Sequence, residues 1–156
     1  MDKIDYRIMT LLEAEARQSF ADLGQQVGLS KTPCWHRVRE LERAGLIQGY
    51  RAEIDAARLG LHVHAFVHVT ISSARHDDFE AAVQHHPAIL QCFTTAGQAD
   101  YLVHVLVAGI SELDGLLRRE LARMPGVQRI ETTVCLKTIK SRAPITGCLS
   151  STAAST

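Results

Sequence analysis

The sequence predicts an α+β protein in two parts. Up to Gly45 the apolar residues recur every three or four positions, as on amphipathic helices, whereas from Leu61 to Ser72 they alternate strictly, as on a strand with one buried face. Beyond Ser72 the order helix, strand, strand, helix, strand can be followed from periodicity and turn residues.

The first segment, MDKIDYRIMTLLEAEAR, places Ile4, Ile8, Leu11 and Leu12 on one helical stripe. Asp2, Asp5 and Glu13 interrupt the apolar character, so the segment does not read as a signal peptide. A second helix is expected over Phe20 to Val27, with Leu23 and Val27 on one face. Gly28 ends it, Leu29 plugs the turn, and Ser30 is expected to cap a third helix, its hydroxyl accepting a bond from a free backbone N–H. Pro33 lies in the first turn of that helix, where its missing N–H is tolerated. From Lys31 to Arg43, Cys34, Val38 and Leu41 point inward, while Lys31, Trp35, His36, Arg37, Arg39 and Arg43 occupy the other faces. The layout is a helix-turn-helix, in which one helix props a second against the major groove of DNA.

Charge separates this pair from an ordinary solvated helical hairpin. The whole chain is balanced, with 17 Lys and Arg against 17 Asp and Glu. Between Ser30 and Arg51, however, Lys31, Arg37, Arg39, Arg43 and Arg51 face only Glu40 and Glu42, a net +3 suited to phosphate contacts by a local patch. The 156 residues suffice for one ordinary domain or two small ones, and 46% hydrophobic content argues for a folded core rather than disorder. No apolar run approaches a membrane span. Cys34, Cys92, Cys135 and Cys148 form no CxxC pair and no metal-finger spacing, as expected of reduced thiols in a cytoplasm.

Leu46 to Asp55 mixes β-formers with turn residues and reads as a strand or extended hinge, so residues 46–60 are expected to link a domain over 1–45 to one over 61–140. In the first strand of the second domain Leu61, Val63, Ala65, Val67, Val69 and Ile71 alternate with His62, His64, Phe66, His68, Thr70 and Ser72. Phe79, Ala82 and Val83 mark a helix over Asp77 to His86, ended by Pro87. Strands are expected at Ile89 to Thr95 and at Tyr101 to Val107, with Gly97 turning the chain between them. Ser111 can cap a helix carrying Leu113, Leu116, Leu117, Leu121 and Met124, which Pro125 and Gly126 stop, and Val127 to Ile139 reads as a last strand. Residues 141–156 are small and polar and are expected to be a flexible tail. Two right-handed βαβ halves give the ferredoxin-like βαββαβ arrangement: one antiparallel sheet, both helices on one face, the other face open for a partner copy.

Taken together, DKIDYRIMTLLEAEAR, LGQQVGLSKTPCWHRVRELERAGLIQGYRAEID, TTAGQADYLVHV and LARMPGVQRIETTV resemble the leucine-responsive regulator and asparagine-regulator (Lrp/AsnC) family of transcription factors over about Asp2 to Lys140. The resemblance implies a homodimer that assembles into tetramers or octamers, binds double-stranded DNA near a promoter and senses a small molecule, usually an amino acid. Within it, Ser30, Lys31 and Thr32 at the start of the recognition helix are expected to hold phosphates. Arg37 and Arg39 are candidates for base edges or a flanking phosphate; Trp35 either touches DNA or buries against the preceding helix. The effector site implied by the family lies around Gly97, Gln98 and Asp100, with Thr132 and Thr133 of the last strand. Asp100 would meet an ammonium group and the glycine-led turn a carboxylate, although the same residues also suit a plain tight hairpin.

His62, His64 and His68 share one strand face, and His104 is expected near them; a hydrogen-bonded interface accounts for the cluster more simply than a metal or pH sensor, and no metal or cofactor is expected. Nothing reads as an enzyme: Cys34 and His36, two apart on a helix, point to different faces, and there is no phosphate-cradling glycine loop or paired carboxylate motif. The competing reading is a small-molecule-binding module without direct DNA readout.

Overall fold

The computed structural model describes residues 1–72, 74–141 and 143–149 and divides into two compact units, Met1–Glu53 with the described part of Lys140–Thr156, and Ile54–Ile139. The first unit holds three helices, α1 (Lys3–Ala14), α2 (Phe20–Val27) and α3 (Lys31–Arg43). A capping box starts α1: the Asp2 carboxylate accepts the N–H groups of Ile4 and Asp5 at 2.8 Å each, and Asp5 reaches back to the Asp2 N–H at 2.9 Å. Ser19 caps α2 by accepting the Asp22 N–H at 3.1 Å. Gly28 ends α2 at φ 74°, a left-handed conformation that glycine adopts at no steric cost. Ile8, Leu12, Leu23, Cys34, Val38 and Leu41 are buried together, with Phe20, Val27, Leu29 and Ile47 packed around them.

Ser30 occupies the cap position of α3 with extended backbone, but its hydroxyl makes no cap bond. Pro33 removes one of the two donors available to a capping side chain, which bonds the N–H of the second or third helical residue. Leu46 to Asp55 forms no strand; its backbone is irregular, with Ile47 in the core and the Tyr50 hydroxyl donating to Glu42 at 3.0 Å. Part of the expected flexible tail is also ordered. Ile145–Leu149 forms a 3-10 turn on α1, where the Glu13 carboxylate accepts the Ile145 and Thr146 N–H groups and the Thr146 hydroxyl, and Tyr6 donates to the Thr146 carbonyl at 2.9 Å. Residues 150–156 lie outside the described residues.

The second unit is the ferredoxin-like βαββαβ fold: β1 (Val63–Ile71), α4 (His76–Gln84), β2 (Ile89–Thr94), β3 (Tyr101–Val107), α5 (Ile110–Gly115) and β4 (Val127–Val134), with strand order β2-β3-β1-β4 and every pairing antiparallel. Helical winding continues beyond α5 through a π turn, Leu116–Glu120, and a 3-10 turn, Leu121–Arg123. The π turn brings residues five apart onto one side, so both Leu116 and Leu121 are buried. The N-cap of α5 is Gly109, not Ser111, and no side chain bonds there. The last strand ends at Val134 rather than Ile139.

Strict alternation divides the sheet into two faces. Ala65, Val67, Val69, Ile71, Tyr101, Val103, Val105 and Val107 are buried with Phe79, Val83, Leu113, Leu116 and Leu121 on the helix-covered face. The open face carries His64, Phe66 and His68 from β1, paired in register with Leu106, His104 and Leu102 of β3.

Candidate nucleic-acid interface and effector recess

The helix-turn-helix is held by a close approach that only glycine permits. A Cβ on Gly24 would lie 2.7 Å from the Leu29 carbonyl oxygen and 3.3 Å from that of Ser30, so the turn passes directly over α2 at this point. With Cys34, Val38 and Leu41 turned inward, the outer surface of α3 presents Lys31, Thr32, Trp35, His36, Arg39, Glu40 and Arg43, all exposed. Burial pushes the Cys34 thiol up, which keeps it a neutral part of the core.

Arg37 is drawn towards α1. Its Nη1 lies 2.6 Å from Asp2 and 2.7 Å from Asp5, the two carboxylates of the α1 capping box. Both carboxylates raise the guanidinium further, while at Asp2 the Asp5 N–H first and Arg37 second hold the carboxyl below its usual range. Arg39 stays on the surface but is restrained: it lies over the Trp35 ring at 5.6 Å and pairs with Glu42 at 3.0 Å. Trp35, 37% exposed, neither buries fully nor stands free. It lines a cleft of about 320 Å³ with Leu12, Ala16, Gln18, Phe20, Arg39, Glu42 and Tyr50. Burial, then the bond to Glu42, push the Tyr50 phenol up to about 12, so it donates across the physiological range. Lys31 and Arg43 form no ion pair among the described residues.

In the second unit Asp100 is fixed by both backbone and side chain. Its N–H donates to the Val69 carbonyl at 3.0 Å, its carbonyl accepts from the Thr95 N–H at 2.9 Å, and its Oδ2 accepts the Ile71 N–H at 2.8 Å. One carboxylate oxygen is thereby engaged in closing the β2–β3 turn onto β1. Gly97 is exposed, and a Cβ there meets open space. Gln98 and Ala99 line a small recess of about 20 Å³ with His68, Thr70, Arg129 and Glu131. Thr132 and Thr133 do not act as a pair: Thr133 is in register with Phe66 on the open face, whereas Thr132 is opposite Val67 on the helix-covered side.

The recess therefore joins Gln98, one of the expected effector residues, and its neighbour Ala99 to four residues that the sequence did not place there. Their signal lay in pairing, since His68 is opposite Glu131 and Thr70 opposite Arg129 across β1 and β4. Arg129 Nη2 bonds Glu131 Oε1, so the recess offers a cation and an anion side by side. Beside it on the open face, His64 Nδ1 meets His104 Nε2 at 3.2 Å, and Phe66 stacks on His104 at 4.7 Å. Burial first, and His64 second, lower the His104 pKa. Among the described residues no group of three or more His, Cys, Asp or Glu is placed to hold a metal, and no helix is long and apolar enough to cross a membrane.

A helix-turn-helix with a basic outer helix, joined to a βαββαβ domain with a recess of paired charges, is the architecture of a ligand-responsive DNA-binding regulator. Residues 64–145 match the model of the Lrp/AsnC ligand binding domain, and residues 1–48 that of a winged helix-turn-helix DNA-binding domain. The chain belongs to the Lrp/AsnC family of transcriptional regulators. It is 36% identical over 146 residues to the Bkd operon transcriptional regulator of Pseudomonas aeruginosa, covering 92% of this chain and 95% of that one. Against the leucine-responsive regulatory protein of Salmonella typhimurium the figures are 39% over 143 residues, 90% and 87%. Among solved structures, an L-Met complex of a transcriptional regulator from Neisseria meningitidis superposes with a TM-score of 0.89 at 30% identity, over 92% of this chain and 95% of that one.

Proposed function

We propose that this cytoplasmic regulator binds operator DNA as a homo-oligomer built from dimers, and that an amino acid seated at the β1–β4 recess alters its binding or assembly. The observation that carries the reading is the joining of an unpaired basic helix face, with Lys31 and Arg43, to a domain whose recess sets Arg129 beside Glu131. A free amino acid carries a carboxylate and an ammonium group, and these two side chains have the charges to take one each. The recess is too small for an amino acid as it stands, so ligand entry requires the Gly97–Asp100 turn to move or a partner copy to extend the site. Asp100 anchors that turn, while Gly97 and Gln98 stay free to meet the ligand. Thr133, on the open face, remains within this reading and Thr132 serves it less well. The L-Met complex of the Neisseria regulator and the leucine-responsive Salmonella protein support an amino acid as effector.

On DNA, Ser30, Lys31 and Thr32 bind phosphate at the start of α3, and Ser30 has its hydroxyl available because it does not cap. Arg39 and Trp35 act together at the flank of α3, and Arg37 positions the helix instead of reading bases. The open face of the sheet, with Phe66, Leu102 and Leu106, pairs two copies and gives the reading heads their two-fold relation.

The test is an anisotropy titration against the DNA upstream of its own gene at two salt concentrations, with each amino acid in turn. Salt-sensitive specific binding that one amino acid shifts is expected, and Arg129→Ala should lose that shift while keeping ligand-free binding. No specific binding in any condition would overturn the regulator reading in favour of a ligand-binding module alone.

A further inference from the structure

The sequence marks Arg37 and Arg39 as candidates for base edges or a flanking phosphate, and the structure gives both intrachain partners. What remains at the middle of the outer face is His36. At about 100° per residue, Thr32, His36 and Arg43 fall within about 40° of one another, opposite the buried Cys34, Val38 and Leu41. His36 is exposed, and it is also held: the Trp35 ring meets it edge-on, with centroids 4.8 Å apart and planes 72° apart. Trp35 is steadied in turn by Arg39 and by the cleft wall of Leu12, Phe20 and Tyr50. An exposed polar ring in a restrained orientation loses less freedom on meeting a base edge than an unrestrained side chain does.

We propose that His36 is the residue that sets base preference, its ring N–H donating in the major groove to a purine, guanine above adenine. Guanine presents two acceptors there, N7 and O6, whereas adenine presents N7 beside a donor amino group that opposes the incoming N–H. Thr32, one turn before His36, and Arg43, two turns after it, lie in position to contact the flanking backbone and fix the register. The inference rests on the DNA-binding reading above and adds which side chain carries its specificity.

The experiment is selection of bound duplexes from a randomised pool, followed by competition binding on the selected site, for the wild type, His36→Ala, His36→Asn and Arg37→Ala. The wild type should enrich guanine at one symmetric position in each half-site. His36→Ala should lose that preference, with discrimination falling by roughly 5-fold, the lower end of the range for a bidentate pair, because a single ring N–H is donated. His36→Asn should move the preference at the same position to adenine, which asparagine reads through N6 and N7. Arg37→Ala should keep the wild-type preference. An unchanged preference in both His36 variants, or its loss in Arg37→Ala alone, would overturn the assignment while leaving the DNA-binding reading standing. A wild-type protein that enriches no sequence would overturn both.

Discussion

Arg37, a DNA-contact candidate in the sequence, is held in the structure by two carboxylates of another helix. Its two carboxylate partners, Asp2 and Asp5, already cap α1, so a single guanidinium ties the start of that helix to the middle of α3. Asp2 titrates below its ordinary 3.8 because the Asp5 N–H and then Arg37 stabilise its charged form. A depressed carboxyl contributes stability that is present above the unfolded-state value and is lost as the pH falls through the folded-state value. Arg37→Ala is therefore expected to lower the Tm of the protein near neutrality, and the gap to wild type should narrow as the pH drops below about 4. Thermal unfolding of both proteins from pH 3 to 7 checks this, and a gap independent of pH would remove the ion pairs as its source. Sequence reading had no access to this contact. Arg37 stands on the exposed side of its own helix pattern, and its partners are more than thirty residues away, brought near only by the packing of α1 on α3. The recess was hidden for the same reason, because Arg129 and Glu131 join Gln98 only through the register of β4 on β1.

At the level of elements, two glycines in helical segments should respond to alanine with opposite sign. Alanine favours a helix interior by about 0.5–1 kcal/mol over glycine. At Gly115 a Cβ meets nothing within 4 Å and the backbone is already helical, so Gly115→Ala should stabilise by about that amount. At Gly24 the Cβ would lie 2.7 Å from the Leu29 carbonyl, a backbone atom that moves only if the turn does. Gly24→Ala should therefore destabilise by about 1–3 kcal/mol and weaken DNA binding by displacing α3. Denaturant unfolding of the two variants decides it, and a stabilised Gly24→Ala would mean that the turn does not sit over α2 as described. The helices and central strands were legible in sequence because their signals are local: a 3.6-residue stripe for α1 to α3 and strict alternation for β1. The segments that differ depend on non-local partners. Residues 46–55 have strand composition but no strand beside them. The tail segment Ile145–Leu149 is ordered by Glu13 and Tyr6, which composition cannot foresee.

For the whole molecule, pairing of copies through the open face of the sheet, as proposed above, would make assembly respond to acid. His64 and His104 meet ring nitrogen to ring nitrogen at 3.2 Å with planes 22° apart, a contact that needs one nitrogen to donate and the other to accept. Both rings cannot be protonated without breaking it. The surrounding groups on the face are Phe66, Leu102 and Leu106, with His68 and the Arg129–Glu131 pair to one side and Gln91 of β2 opposite His104. The bound Arg129 and Glu131 largely cancel, so among the described residues no free anion beside His104 offsets a second proton. Burial and His64 accordingly hold His104 below its ordinary 6.5. If two copies pair through this face, docking deepens the burial and lowers that value further. Stability of the pair is then full above about 6.5 and is lost as the pH falls through the lowered value, because the separated copies bind more protons than the pair does. Sedimentation from pH 8 to pH 5 should show a dimer that weakens below about pH 6.5, while His104→Phe, which keeps the ring stack on Phe66 but has no proton to gain, should stay associated at lower pH. Equal acid sensitivity in the two proteins would place the titrating group elsewhere, and a monomeric wild type at pH 8 would show that this face does not join copies at all.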